Sequence, residues 1–157
     1  MKKATPIRLR PYHPTYVIGF FGAGGMKEGY NRHGFNYVIE QIKANPNIKI
    51  EFVEEYDDIC KRCENLKPSE KGSVWGKQHT CSSAENPVVV EKVKKANEQI
   101  LKLLGLKIGS LVAFKDLVLL MRARLPDIGK SGIDMIGGAE FQEKYEKGLA
   151  TVSALWP

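Results

Sequence analysis

Short segments with alternating apolar and polar residues mark the candidate strands of this chain. Residues 7–10, Ile-Arg-Leu-Arg, alternate apolar with charged positions as a half-buried strand does, and Pro11 ends the segment. Residues 48–52 alternate in the same way. The apolar run at residues 16–21 is short enough to be either a strand or a buried helical turn. Together these segments predict a small sheet built near the amino-terminal half.

Apolar residues spaced three and four positions apart mark three principal helices. Residues 35–42 form the first, which ends before Pro46 because the residue preceding a proline avoids the helical conformation. The second begins at residues 86–87, Asn-Pro, where a capping side chain precedes a proline suited to the first helical position. It ends at Gly105, which fits the position after a helix. The third covers residues 114–125 and stops at a proline.

Length and composition set the fold class and the number of domains. The tail, residues 132–157, is weakly patterned and predicts only short helical pieces. The chain has 157 residues, 43% of them hydrophobic, which is enough for one core, whereas two domains would each have too much surface for their volume. We therefore predict a single α+β domain spanning residues 1–157.

Transport and membrane signals are missing from the sequence. No run approaches the roughly 18 apolar residues that cross a bilayer. The basic amino terminus, beginning Met-Lys-Lys, is not followed by the apolar stretch and cleavage site of a signal peptide. We expect a cytoplasmic protein that makes no membrane contact.

The strongest chemical signal is a group of cysteines in one long loop. Residues 60–81 have no sustained apolar period, and a loop of this length normally needs something that keeps it ordered. Cys60 and Cys63 form a C-x-x-C pair, and Cys81 follows with His79 two positions before it. Zinc accepts Cys and His in closed four-coordinate sites. The spacing therefore predicts a metal, with zinc favoured, held by these four side chains.

The fourth ligand and the identity of the metal stay open in the sequence. His13, brought in from the first segment, is the rival fourth ligand, while Asp57 and Asp58 offer oxygen, which suits soft ions less well. Iron also accepts thiolates, but Fe–S clusters usually have four cysteines and this chain has three. An odd number of cysteines without an export signal fits reduced thiols or metal ligands better than disulfides.

Other functional classes have weaker support. A redox dithiol needs a helix after the C-x-x-C pair, and the segment that follows contains Pro68. An enzyme with an open site near His13 stays an alternative, although no nucleophile or general base stands out. The net charge of +6 suits an anion or nucleic acid, but the lysines of residues 92–102 fit the solvated face of a helix. The glycines of residues 22–27 break the dinucleotide-binding fingerprint at its third glycine.

Several motifs occur in a recognisable order: residues 7–13, 29–31, 57–63 and 104–109, together with Cys81. In this order they resemble the domain of unknown function 1284 family, small bacterial and archaeal proteins sometimes labelled iron–sulfur or metal binding. The most specific element is Asp-Asp-Ile-Cys-x-x-Cys at residues 57–63. The resemblance implies that Cys60, Cys63 and Cys81 belong to one site.

The chain departs from that family's pattern at two places. Tyr16 stands where the family typically has a cysteine shortly after the His of its opening motif. Residues 136–141, Ile-Gly-Gly-Ala-Glu-Phe, replace a Cys-Gly-Gly-Cys that is followed by Glu and an aromatic residue. If those cysteines help to hold an iron–sulfur cluster in relatives, their loss favours zinc in this chain.

Overall fold

A three-stranded sheet, a two-stranded sheet and five α-helices form the regular structure of the described residues, which confirms the predicted α+β class. The structure is a computed structural model and describes residues 4–22, 34–128 and 138–155. The elements in chain order are β1 (Ile7–Leu9), α1 (His13–Gly22), α2 (Phe35–Ala44), β2 (Lys49–Phe52), β3 (Lys67–Pro68), β4 (His79–Thr80), α3 (Pro87–Leu104), β5 (Leu111–Ala113), α4 (Phe114–Arg124) and α5 (Gly138–Leu155).

The main sheet has the strand order β1-β2-β5. Strands β1 and β2 are parallel, with Leu9 opposite Phe52, and α1 and α2 lie on the connection that parallel strands require. Strand β5 pairs antiparallel with β2 and places Val112 opposite Ile50. Both predicted strands are confirmed, whereas β5 is not predicted because its three residues, Leu-Val-Ala, are all apolar and show no alternation.

The three predicted helices are all present as α2, α3 and α4. The Asn86 side chain accepts hydrogen bonds from the Val88 and Val89 backbone N–H groups, at 3.1 and 3.4 Å, and so caps α3. At the other end Gly105 adopts a left-handed φ of 68°, which a residue with a side chain would resist. The capping roles that the sequence predicts for Asn86 and Gly105 are therefore confirmed.

Helix α1 settles the ambiguous apolar run at residues 16–21, which is helical and not a strand. Pro14 lies in the first turn, where its missing N–H costs nothing. The helix buries most of its circumference, and an element covered on all sides shows no amphipathic period. The spacing of apolar residues therefore cannot distinguish a helix from a strand in this segment.

The prediction of only short helical pieces in the tail is wrong, because α5 is a continuous helix of 18 residues. Helices α1 and α5 approach so closely that a Cβ atom on Gly148 would lie 1.8 Å from the Ile18 carbonyl oxygen. A Cβ on Gly22 would similarly lie 1.7 Å from the Lys144 carbonyl oxygen. Glycine here permits close helix packing, and the described residues contain α1 and α5 in addition to the three predicted principal helices.

The cysteine loop, expected to lack secondary structure, contains a 3₁₀ turn at Cys60–Arg62 and the two-residue strands β3 and β4. Trp75 at the tip of this hairpin is buried and lies on the core. No helix in the described residues has the length and apolar character needed to span a membrane. The extent of the domain, residues 1–157, stays a prediction, and the glycine-rich segment after Gly22 lies outside the described residues.

Candidate metal site

Four of the five predicted ligands line a single cavity of about 120 Å³. They come from separate parts of the chain: His13 is the first residue of α1, Cys60 and Cys63 lie at the two ends of the 3₁₀ turn, and Cys81 directly follows β4. No disulfide joins the three cysteines, all of which lie in described segments. Arg10 also lines this cavity. The fold thus gathers the three thiols and one imidazole around a common space.

Asp57 is the residue that ties these segments together. Its Oδ1 accepts hydrogen bonds from the backbone N–H groups of Ile59 and Cys60, at 3.0 and 2.9 Å, and so fixes the start of the C-x-x-C turn. Its Oδ2 accepts from the Arg10 backbone N–H at 2.7 Å and contacts His13 Nδ1. These four contacts match the acceptor capacity of one carboxylate. Asp57 therefore positions the other residues and has little capacity left to bind a metal itself.

The charge on Asp57 is maintained although the side chain is fully buried. Burial alone would raise the pKa of this carboxyl, but the neighbouring His13 and Arg10 outweigh burial and lower the pKa to about 2. An ionised carboxylate can only accept hydrogen bonds, so His13 Nδ1 must be the donor in their contact. When the His13 ring is neutral, that proton leaves the lone pair on Nε2.

His13, Asp57 and Cys60 offer ligand atoms that all lie within 4.8 Å of one another. The structure therefore contains a group with the composition of a metal site, although Cys63 and Cys81 are not members of it. His13 follows the first predicted strand closely in the sequence, and in the structure β1 ends at Leu9 and His13 begins α1. The turn between them folds back, with the His13 N–H donating to the Arg10 carbonyl at 3.0 Å.

The cysteines have different surroundings. Burial, and then the charge of Asp57, raises the pKa of the Cys60 thiol far above its usual range, although Arg10 acts in the opposite direction. Cys81 Sγ accepts hydrogen bonds from the Tyr56 hydroxyl and the Ala84 backbone N–H, both at 3.4 Å. Burial, together with the bond to Cys81, raises the pKa of Tyr56 to about 12, so this donor keeps its proton at neutral pH.

His79, the fifth predicted ligand, lies elsewhere. Its side chain is exposed on β4 and lines a second cavity, together with Arg8 and Lys77. Tyr56 and Leu66 line both cavities and lie between them. The structure thus brings His13, and not His79, to the wall of the cavity that the cysteines share.

The roles of two residues of this site are not predicted from the sequence. The sequence offers Asp57 as an oxygen ligand, yet its position three residues before Cys60 is the spacing at which a carboxylate caps a turn. Arg10 looked like the exposed half of an alternating strand, but it lies beyond the end of β1 and is buried. No local sequence pattern could reveal its burial.

Comparison with known proteins gives a family but no assigned activity. A family model described as "Protein of unknown function (DUF1284)" matches residues 27–131. The matched stretch includes Asp57 and all three cysteines, and it begins after Arg10 and His13. No curated protein and no solved structure matches the chain. Because the match covers two thirds of the sequence and agrees with the resemblance seen in the motifs, the chain belongs to the DUF1284 family.

Proposed function

We propose that this protein binds one zinc ion through Cys60, Cys63, Cys81 and His13, and that the ion holds the cysteine loop against the start of α1. The observation that carries the proposal is that these four side chains line one cavity although they come from three separate parts of the chain. Three thiolates and one imidazole form a common closed zinc site. A closed shell makes the role structural.

His13 is the preferred fourth ligand because of its contact with Asp57. Histidines that bind metals almost always donate their other ring N–H to a carboxylate or carbonyl, which fixes the tautomer and the ring orientation. His13 has the carboxylate contact of this arrangement, with Nδ1 on Asp57, and its neutral form would offer Nε2 to a metal. His79 is exposed and lines the other cavity, so it does not share this support.

Zinc is preferred to an iron–sulfur cluster because the chain supplies three cysteines, whereas such clusters usually have four. A redox dithiol is disfavoured because an attacking cysteine needs a lowered pKa, and burial raises that of Cys60. Zinc deprotonates the thiols that bind it, so binding at Cys60 should release a proton. Reduced thiols of this kind suit the cytoplasm, which we propose as the location of the protein.

The test is the zinc stoichiometry and chelator resistance of single-residue variants, measured on protein reconstituted with zinc under reducing conditions. Cys63→Ser and His13→Ala should each lose most of the bound zinc or release it to a much weaker chelator. His79→Ala is the matched control and should retain zinc as the wild type does. Loss of zinc from the His79 variant, with retention in the His13 variant, would reverse the assignment of the fourth ligand.

A further inference from the structure

Arg10 is a buried cation with unsatisfied donors in the wall of the cysteine cavity. The residue is 4% exposed, and its Nη2 donates to the Tyr12 hydroxyl at 2.8 Å. The guanidinium lies over the Trp75 ring, 4.3 Å from the ring centre. Its Nε and Nη1 atoms have no hydrogen-bond partner among the described residues. Aromatic rings and one hydroxyl therefore provide all of the observed side-chain contacts of this charge.

A buried charge without a partner of opposite sign is unfavourable, and native proteins rarely keep one without a reason. Asp57 is the nearest acidic candidate, but its oxygens accept from the Arg10 backbone, from His13 and from the C-x-x-C turn. No carboxylate forms an ion pair with the guanidinium in the described segments, and Asp57 attracts it only from beyond ion-pair distance. The surroundings of Arg10 therefore leave a place for a closer anionic partner that arrives with a ligand.

The same cavity supplies a candidate for that partner. Arg10 lines it together with Cys60, Cys63 and Cys81. A zinc ion held by three thiolates and a neutral imidazole carries a net charge of −1, the sum of +2 and −3, and no other cationic side chain lines this cavity among the described residues. We infer that Arg10 is the counter-cation of the metal–thiolate group, an inference that rests on the proposed zinc site. Tyr12 and Trp75 position Arg10 for that role.

An external oxyanion, such as phosphate, is the competing partner for the guanidinium. The lining of the cavity favours the metal–thiolate group, because sulfur ligands and one imidazole surround the space. Arg10 is also the only cation there in the described part of the chain. An oxyanion would lie against thiols, which are weak hydrogen-bond donors. Arg10 is accordingly a positioning residue that acts through the metal ligands.

The inference predicts that zinc affinity falls when the charge of Arg10 is removed and recovers when the charge is restored, and this separates it from a merely structural role. In the metal-free protein, Arg10→Met takes away one of the cations that lower the pKa of Asp57, so the melting temperature of that form should fall as well. Zinc affinity, measured by chelator competition, should fall roughly tenfold to hundredfold, the range for interactions with charged groups. Arg10→Lys keeps the charge and should recover most of this affinity.

Arg62→Met is the matched control, because Arg62 lies between Cys60 and Cys63 but is exposed, with its guanidinium 3.4 Å from the centre of the Tyr37 ring. This variant removes the same charge and should change zinc affinity by less than about threefold.

Three results would overturn the inference: wild-type zinc affinity in Arg10→Met, an equal loss of affinity in Arg62→Met, or no recovery of affinity in Arg10→Lys. Inorganic phosphate tests the competing partner. Stabilisation of the metal-free wild type by phosphate that disappears in Arg10→Met, with zinc affinity unchanged, would assign Arg10 to an external anion. Failure of the wild type itself to bind zinc would instead refute the proposed function, which is a different outcome from any of these.

Discussion

Asp57→Asn is the substitution that most directly probes how the site is assembled. The carboxylate accepts hydrogen bonds from the backbone N–H groups of Arg10, Ile59 and Cys60 and from the His13 ring. An asparagine retains one oxygen for the C-x-x-C turn, but its NH₂ group then faces the Arg10 N–H, so two donors oppose each other. Because the replaced oxygen, Oδ2, also accepts from the His13 ring, the variant loses the charge and two buried hydrogen bonds.

The magnitude follows from the lowered pKa of Asp57. Lowering the pKa of Asp57 from 3.8 to about 2 corresponds to about 2 kcal/mol of folding free energy at neutral pH, because a change of one in the pKa corresponds to about 1.36 kcal/mol. The hydrogen bonds from the Arg10 backbone and the His13 ring are among the causes of the lowered pKa, so their loss is already part of this amount. We expect Asp57→Asn to lower the free energy of unfolding of the metal-free protein by roughly 2 kcal/mol or more at pH 7.

Urea unfolding of the metal-free protein at several pH values measures this effect. Because the folded pKa lies below the unfolded one, the contribution of Asp57 is complete above about pH 4 and is lost as the pH falls through about 2. The difference between wild type and variant should therefore shrink on acidification. Asp58→Asn is the control: this neighbour is partly exposed and accepts one backbone N–H, from Arg8 at 2.8 Å, so we expect a loss of about 1 kcal/mol.

A loss below about 1 kcal/mol for Asp57→Asn at pH 7 would refute this reasoning, as would a difference from wild type that is the same at pH 2 and pH 6. A larger loss for Asp58→Asn than for Asp57→Asn would also refute it, because the position of the carboxylate would then not matter.

Two further substitutions test the frame around the site by urea unfolding. Gly148→Ala should destabilise the protein by roughly 1–3 kcal/mol or more, because its Cβ would lie 1.8 Å from the Ile18 carbonyl oxygen. The exposed Lys147→Ala on the same helix should change stability by less than about 0.5 kcal/mol, and equal effects would contradict the close packing of α1 on α5. Asn86→Ala removes the cap of α3 and should cost about 1 kcal/mol, whereas no loss would mean that the cap is dispensable.

Local signals in the sequence predicted the elements that depend on local physics. The α3 boundaries followed from Asn86 and Gly105, whose capping roles require only neighbouring backbone groups. Strands β1 and β2 followed from the alternation of their side chains. In contrast, α5 was missed because Gly148 has meaning only beside Ile18, a contact between residues 130 positions apart in the chain.

The candidate site divides in the same way. The C-x-x-C pair and Cys81 were evident from spacing, and they do line one cavity. The sequence favoured His79 as the fourth ligand because it lies two residues before Cys81. In the structure His79 lines the second cavity, and the fold brings His13 to the cysteines instead. Arg10 was hidden because burial of a charged residue contradicts every local expectation and depends on Trp75 and Tyr12 around it.

Metal analysis of protein purified without added metal or chelator, combined with an absorption spectrum, tests the central claim most directly. The account predicts about one zinc ion per chain and no visible absorption, with the zinc lost in Cys63→Ser. Iron with visible charge-transfer bands would contradict zinc and indicate a cluster instead. Protein that contains no metal, and that binds none on reconstitution under reducing conditions, would contradict a metal site at Cys60, Cys63, Cys81 and His13 altogether.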